Sequence, residues 1–133
     1  MKRVYADMVG DLFHLGHINM LKQAREYGDY LIVGIHSDKT VESYKRKPIL
    51  SESERYEIVK NCKLVDEVIT DAPLVITQDY IKENKIDVVV HGDDTAFTEN
   101  YKVPIDMGIM QYIKYTEGIS TSEIIKRIEN REV

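Results

Sequence analysis

The chain has 133 residues, of which 43% are apolar and 31% charged, with a formal net charge of −5. That suits one globular domain, residues 1–133, with a real core, and it excludes a disordered or low-complexity chain. It holds no run of ~18 apolar residues for a membrane span and no signal peptide after the basic start, and its acidic balance argues against a broad nucleic-acid-binding face.

Read in order, the sequence alternates strands with helices. A strand is expected over residues 2–7, then a helix from His17 to Tyr27 stopped by Gly28. The nearly continuous apolar run Tyr30-Leu31-Ile32-Val33-Gly34-Ile35 reads as a strand buried on both faces. After Ser37-Asp38 comes a basic stretch, Lys45-Arg46-Lys47-Pro48. Ser51 with Glu54 three residues on is a capping box, opening a helix through Cys62. That lone cysteine can form no internal disulfide, which fits a buried thiol and a reducing, cytoplasmic compartment. Leu64 to Thr70 is a third strand, broken by Asp71-Ala72-Pro73. Thr77 to Asn84 is a helix, and Ile86 to His91 a fourth strand that ends at Gly92-Asp93-Asp94. Residues 95–108 read as a loop with a short helix, and Gly108 to Tyr115 as the last strand. Thr116-Glu117-Gly118 turns into a final helix, capped by Ser120 with Glu123 as a second capping box. The alternation predicts an α/β fold: a Rossmann-like open parallel sheet of about five strands with helices on both faces. Its C-terminal strand ends, near residues 7–11, 36–38, 92–94 and 115–118, should line one cleft.

The chemistry concentrates in Asp11-Leu12-Phe13-His14-Leu15-Gly16-His17-Ile18, where the first strand hands over to the first helix. Gly16 lets backbone approach a ligand closely, and the amides and dipole of a helix start favour an anion. Two imidazoles beside a phosphate can donate to charge that builds on its oxygens. The alternatives are a metal pair or two incidental histidines, but a metal needs further ligands. For Asp11, orienting a histidine or the turn and capping the helix stand as equal readings.

This pattern resembles the nucleotidyltransferases marked by His-x-Gly-His, and more narrowly the cytidylyltransferases. Arg3-Val4-Tyr5-Ala6-Asp7 followed by Asp11-Leu12-Phe13-His14 is similar to the entry of the choline-phosphate enzyme's core. Tyr30 to Gly34, Glu54-Arg55-Tyr56, Val65-Asp66-Glu67-Val68 and Thr116-Glu117-Gly118-Ile119-Ser120-Thr121-Ser122 resemble further family segments, in order, across almost the whole chain. The resemblance implies transfer of CMP from CTP to a small phosphomonoester, giving a CDP-alcohol and pyrophosphate. Phosphoethanolamine or phosphocholine would be the acceptor, with glycerol 3-phosphate or another phospho-alcohol open. It implies catalytic roles for His14, His17 and Lys45, and nucleotide contacts from Gly10, Asp11, His14, His17, Gly92, Asp94, Tyr115, Glu117, Gly118, Ile119, Ser120 and Thr121. Asp38, Lys45, Arg55, Leu74 and Asp93 would meet the acceptor. Mg²⁺ would accompany CTP, no metal would be held by protein ligands alone, and a homodimer would form through the Asp66-Glu67 segment.

Each role has a plainer alternative. Lys45 is otherwise a solvated loop charge, Arg55 a surface ion pair with Glu52 or Glu54, Ser120 a cap, and Gly92-Asp93 a turn signal. The sequence also departs from the family. Met8 and Gly10 stand where relatives have a glycine and an aromatic, so the backbone there is expected to differ most. Tyr115, after Lys114, stands where relatives have an arginine. Leu74 replaces an aromatic, which weakens a phosphocholine assignment, although Phe97 and Tyr101 could supply other rings. The family's membrane-sensing helix has no counterpart, so membrane-regulated activity is not expected. Alternative readings are an adenylyltransferase and a nucleotide-binding module with little catalysis.

Overall fold

The computed structural model describes residues 1–93 and 98–131. Five strands, β1 (Arg3–Met8), β2 (Tyr30–Ile35), β3 (Glu67–Ile69), β4 (Val88–Gly92) and β5 (Met110–Ile113), form one sheet in the order β3-β2-β1-β4-β5. Every neighbouring pair is parallel. This is the expected Rossmann-like sheet. Its order reverses between β1 and β4, so the crevice above their C-terminal ends is where a ligand belongs.

The alternation of side chains along the strands builds a core on each face. Val4, Leu31, Val33, Ile35, Val88 and Val90 meet Leu21 and Ala24 of α1 (Leu15–Arg25) and Val59 of α3 (Glu52–Lys60). Tyr5, Ile32 and Val89 point the other way, onto Ile81 of α4 (Gln78–Glu83), Ile76 and Tyr101. Residues facing opposite sides are both apolar, which is why β2 reads as an unbroken hydrophobic run.

The remaining elements are α2 (Asp38–Glu42), a 3₁₀ turn at Thr98–Tyr101, α5 (Lys102–Asp106) and α6 (Thr121–Asn130). None of the described helices is long and apolar enough to cross a membrane.

Several boundaries differ from expectation for local reasons. The first helix starts at Leu15 rather than His17, because His14 itself is the cap. Gly28 is not in the left-handed region; it is a contact residue, since a Cβ there would lie 2.6 Å from the Lys2 carbonyl oxygen. Strand β3 is shorter than Leu64–Thr70: ahead of it the Asp66 carboxylate takes the Leu31 N–H that a longer ladder would use, and also accepts from Arg25 Nη1, each at 2.8 Å. Helix α2 was not foreseen; Ser37 caps it by accepting from Thr40 N at 3.2 Å. Ser120 caps α6, accepting from Glu123 N at 3.0 Å, while the Glu123 carboxylate lies 3.8 Å from Arg127 Nε.

Candidate active site

Two helix starts face each other above the end of β1. At the first, the histidines do what Ser or Thr and Glu or Gln do in an ordinary capping box. His14 Nδ1 accepts from Gly16 N at 3.0 Å, and His17 Nδ1 accepts from His14 N at 3.0 Å. A ring nitrogen that accepts carries no proton, so each neutral imidazole must hold its proton on Nε2. Burial lowers the His14 pKa. Burial, helped by neighbouring His14 and Lys45 and opposed by Asp11, brings His17 down to about 4. Near neutral pH both rings are therefore uncharged Nε2–H donors. Their centroids are 4.0 Å apart, and Phe13 stacks on His17 at 5.4 Å. Gly16 is required because the His14 ring lies across it; a Cβ would come 2.8 Å from His14 Cε1.

The second start is that of α6. Thr121 Oγ1 lies 3.4 Å from His14 Nε2 and donates to the Asp11 carbonyl oxygen at 3.1 Å, tying the two helix starts together. Between them opens a cavity of about 580 Å³, walled by His14, Gly16, His17, Lys45, Tyr115 and the 118–123 segment among others. Two sets of helix N-terminal amides, two neutral imidazole donors and one lysine form a surface for a polyanion. Among the described residues no three His, Cys, Asp or Glu side chains converge to hold a metal ion.

Beneath the cavity, several residues expected to touch ligands build the frame instead. Arg55 is fully buried. Its guanidinium donates to the carbonyls of Val9 (2.6 Å), His36 (2.8 Å) and Leu50 (3.2 Å) and to Asp38 Oδ1 (2.7 Å). It joins the exits of β1 and β2 to the loop before α3, so neither acceptor contact nor a surface pair with Glu52 or Glu54 describes it. The Asp38 carboxylate is likewise engaged, by Arg55 and by Glu52 N at 3.3 Å, and Arg55 heads the causes that keep its pKa low. Asp11 neither caps the helix nor hydrogen-bonds a histidine: it accepts from Ile49 N and Leu50 N at 2.8 and 2.9 Å and pins that loop.

The other expected residues divide in the same way. Lys45, Tyr115, Gly118, Ile119, Ser120 and Thr121 are on the cavity wall. Lys114 is not; its backbone pairs with the Gln23 side chain. Gly10 is buried with φ +72°, facing Val59, Met8 and Ile35 rather than the cavity. Gly92 lies under the Tyr115 ring, which would collide with any Cβ there. Glu117 and Asp93 are exposed and Leu74 half-buried, all off the wall. Asp94 and Phe97 lie outside the described residues.

A second polar cluster went unassigned from sequence, although each member sits at or just beyond a strand end. Asp7 of β1 is buried and accepts from the Tyr101 hydroxyl at 2.7 Å. His36 Nε2 and His91 Nδ1 each stand 3.6 Å from one of its oxygens, and Tyr44 OH is 3.1 Å from His36 Nδ1. Burial alone would raise the Asp7 pKa, but the facing histidines more than offset it and hold it at about 2. Burial raises the Tyr101 pKa, with Asp7 adding to it, so that hydroxyl stays a donor. The signal was available: a carboxylate closing an apolar parallel strand, with a histidine at the matching end of each neighbouring strand.

The profile of the cytidylyltransferase-like family matches residues 10–127. The chain is 46% identical over 139 aligned residues to the ethanolamine-phosphate cytidylyltransferase of Dictyostelium discoideum, covering 98% of this chain and 39% of that protein. It is 45% identical to choline-phosphate cytidylyltransferase 2 of Arabidopsis thaliana, covering 95% of this chain and 44% of that one. It thus spans about two fifths of the relatives' length. Among solved structures, the lipopolysaccharide core biosynthesis protein from Thermoplasma volcanium GSS1 superposes with a TM-score of 0.73 at 31% identity, covering 87% of this chain and 99% of that one.

Two outcomes follow. Arg55→Met leaves buried carbonyls and Asp38 without their donor, and should cost about 3 kcal/mol in a urea titration; an unchanged midpoint would contradict the framing role. His17 binds its proton at about 4 folded but near the ordinary 6.5 unfolded. The unfolded state therefore holds more protons between those values, and stability should fall as pH drops from 6.5 to 4. His17→Gln keeps a capping acceptor and removes the titration, so its stability should fall less steeply over that window; parallel curves would contradict the assignment.

Proposed function

The chain belongs to the cytidylyltransferase-like family, and from that premise we propose that it transfers CMP from CTP to a small phosphomonoester. The acceptor would be a phosphoethanolamine- or phosphocholine-like compound, the product a CDP-alcohol. The observation that carries this reading is the pair of neutral Nε2–H donors, His14 and His17, held at the α1 start on the wall of an anion-adapted cavity.

In the proposed reaction an acceptor phosphate oxygen attacks the α-phosphorus of CTP in line. The new P–O bond forms as the bond to the bridging oxygen of the β-phosphate breaks, and pyrophosphate leaves. His14 and His17 donate to the α-phosphate oxygens as charge gathers there, and as uncharged groups they keep this donor role across neutral pH. Lys45, also on the cavity wall, reaches the phosphates, and the amides and hydroxyls of Ser120 and Thr121 hold the triphosphate at the α6 start. Mg²⁺, entering with CTP, would supply charge neutralisation on the triphosphate. The same reading carries a homodimer, with Asp66 and Glu67 of the edge strand β3 and the turn before it at its interface, and a cytoplasmic setting.

With CTP, Mg²⁺ and phosphoethanolamine or phosphocholine, the chain should release pyrophosphate, and ATP should replace CTP poorly. His17→Ala should reduce turnover at least about 100-fold. Unchanged turnover in that variant would overturn the role of the histidines. CTP binding in calorimetry without pyrophosphate release from any phosphomonoester would favour a binding module instead.

A further inference from the structure

The two sides of the cavity are held in place by unlike means. Helix α1, which carries His17, is anchored by packing: Leu21 and Ala24 are fully buried in the core. The segment from Lys114 to Ser120 is not. None of its residues is buried, so side-chain packing does not fix where it lies. The ladder of β5 ends at Ile113, opposite Gly92. Past that point the chain leaves the sheet, and its backbone groups need other partners.

Two polar side chains on one face of α1 tie it down. Gln23 Nε2 donates to the Lys114 carbonyl oxygen at 2.9 Å, and Gln23 Oε1 accepts from Lys114 N at 3.3 Å. The side-chain amide thus stands in for a further strand, meeting both backbone groups of one residue. Nε2 also donates to the Asn19 carbonyl oxygen at 3.4 Å, one helical turn back, and these three contacts allow only one orientation of the amide. Asn19 Nδ2 in turn donates to Thr116 Oγ1 at 2.9 Å. The spacings match: four residues of helix rise about 6 Å, and two residues of extended chain span about 6.6 Å. Lys114 and Thr116 are therefore tied to successive turns of α1. Tyr115 is strung between them, with its ring over Gly92. Tyr115 and Thr116 line the same cavity as His17, whereas Asn19 and Gln23 do not line it.

We propose that Asn19 and Gln23 are positioning residues for the nucleotide: they hold the 114–120 segment at its working distance from the histidines of α1; this rests on the cytidylyl-transfer reading. Without the ties the segment samples other positions, and CTP binds only the fraction that is correctly placed. Apparent affinity falls by that fraction, while the complex, once formed, is the same. The loss therefore falls on CTP binding and spares the chemical step.

The test measures kcat, KM for CTP and KM for phosphoethanolamine, with calorimetric binding of CTP alongside, on the full chain and its variants. Gln23→Leu and Asn19→Leu should each raise KM for CTP about tenfold and weaken CTP binding by the same factor. Both kcat and the acceptor KM should stay within about twofold. Gln23→Glu still accepts from Lys114 N but cannot donate to its carbonyl, and should fall between wild type and the Leu variant. Thr116→Val removes the partner of Asn19, so adding Asn19→Leu to it should cost less than about twofold more. Unchanged CTP affinity in a folded Leu or Glu variant overturns the inference, as does a loss carried by kcat or by the acceptor KM. So does a full tenfold loss from Asn19→Leu on top of Thr116→Val. These outcomes leave cytidylyl transfer standing. CTP binding without turnover of any phosphomonoester would sink cytidylyl transfer instead, and calorimetry on the same variants would still decide the inference.

Discussion

The arrangement depends on one reciprocal interaction, the capping box made by two imidazoles. Helix starts leave amide donors without partners, and ordinary proteins satisfy them with hydroxyls and carboxylates. Here the acceptors are His14 Nδ1 and His17 Nδ1. The same two bonds begin the helix, orient both rings and fix which nitrogen keeps its proton. One geometry both caps the helix and aims two Nε2–H donors. Gly16 follows from it, since only a missing side chain leaves room for the His14 ring.

Around that box the fold uses buried charge as scaffolding. Arg55 gathers three carbonyls from separate segments, and Asp11 takes two amides from the loop before α3. These charges satisfy backbone that would otherwise be orphaned at the C-terminal edge of the sheet, where strands end and loops diverge. The loop carrying Lys45 runs between α2 and the Ile49-Leu50 segment, so it is anchored at both sides by Asp38, Arg55 and Asp11. The cavity wall is built largely from helix ends and one lysine, and the charged interior holds them in place.

The sheet was legible in the sequence because its signal is dense: apolar runs such as Tyr30–Ile35 have no other way to be buried. The glycine-and-histidine turn was legible for its position at a strand-to-helix junction. What sequence could not resolve was direction. Arg55 and Asp11 are polar residues in a motif, and whether a side chain turns toward ligand or toward backbone depends on tertiary partners tens of residues away, Val9 and His36 for one and Leu50 for the other. Asp7, His36 and His91 were separated in sequence and meet only through strand register; Asp7 lies opposite Gly34, two residues before His36. The displaced glycine at position 10 does adopt left-handed backbone, yet it faces the core rather than the phosphates.

The central claim is that both histidines of the turn are neutral near pH 7 with the proton on Nε2. Nitrogen NMR of imidazole-labelled protein reads tautomer and charge for each ring directly. The account predicts that His14 and His17 both show protonated Nε2 and unprotonated Nδ1 at pH 7, with His17 remaining so until the pH nears 4. A proton on Nδ1 of either ring, or an imidazolium at pH 7, would contradict it.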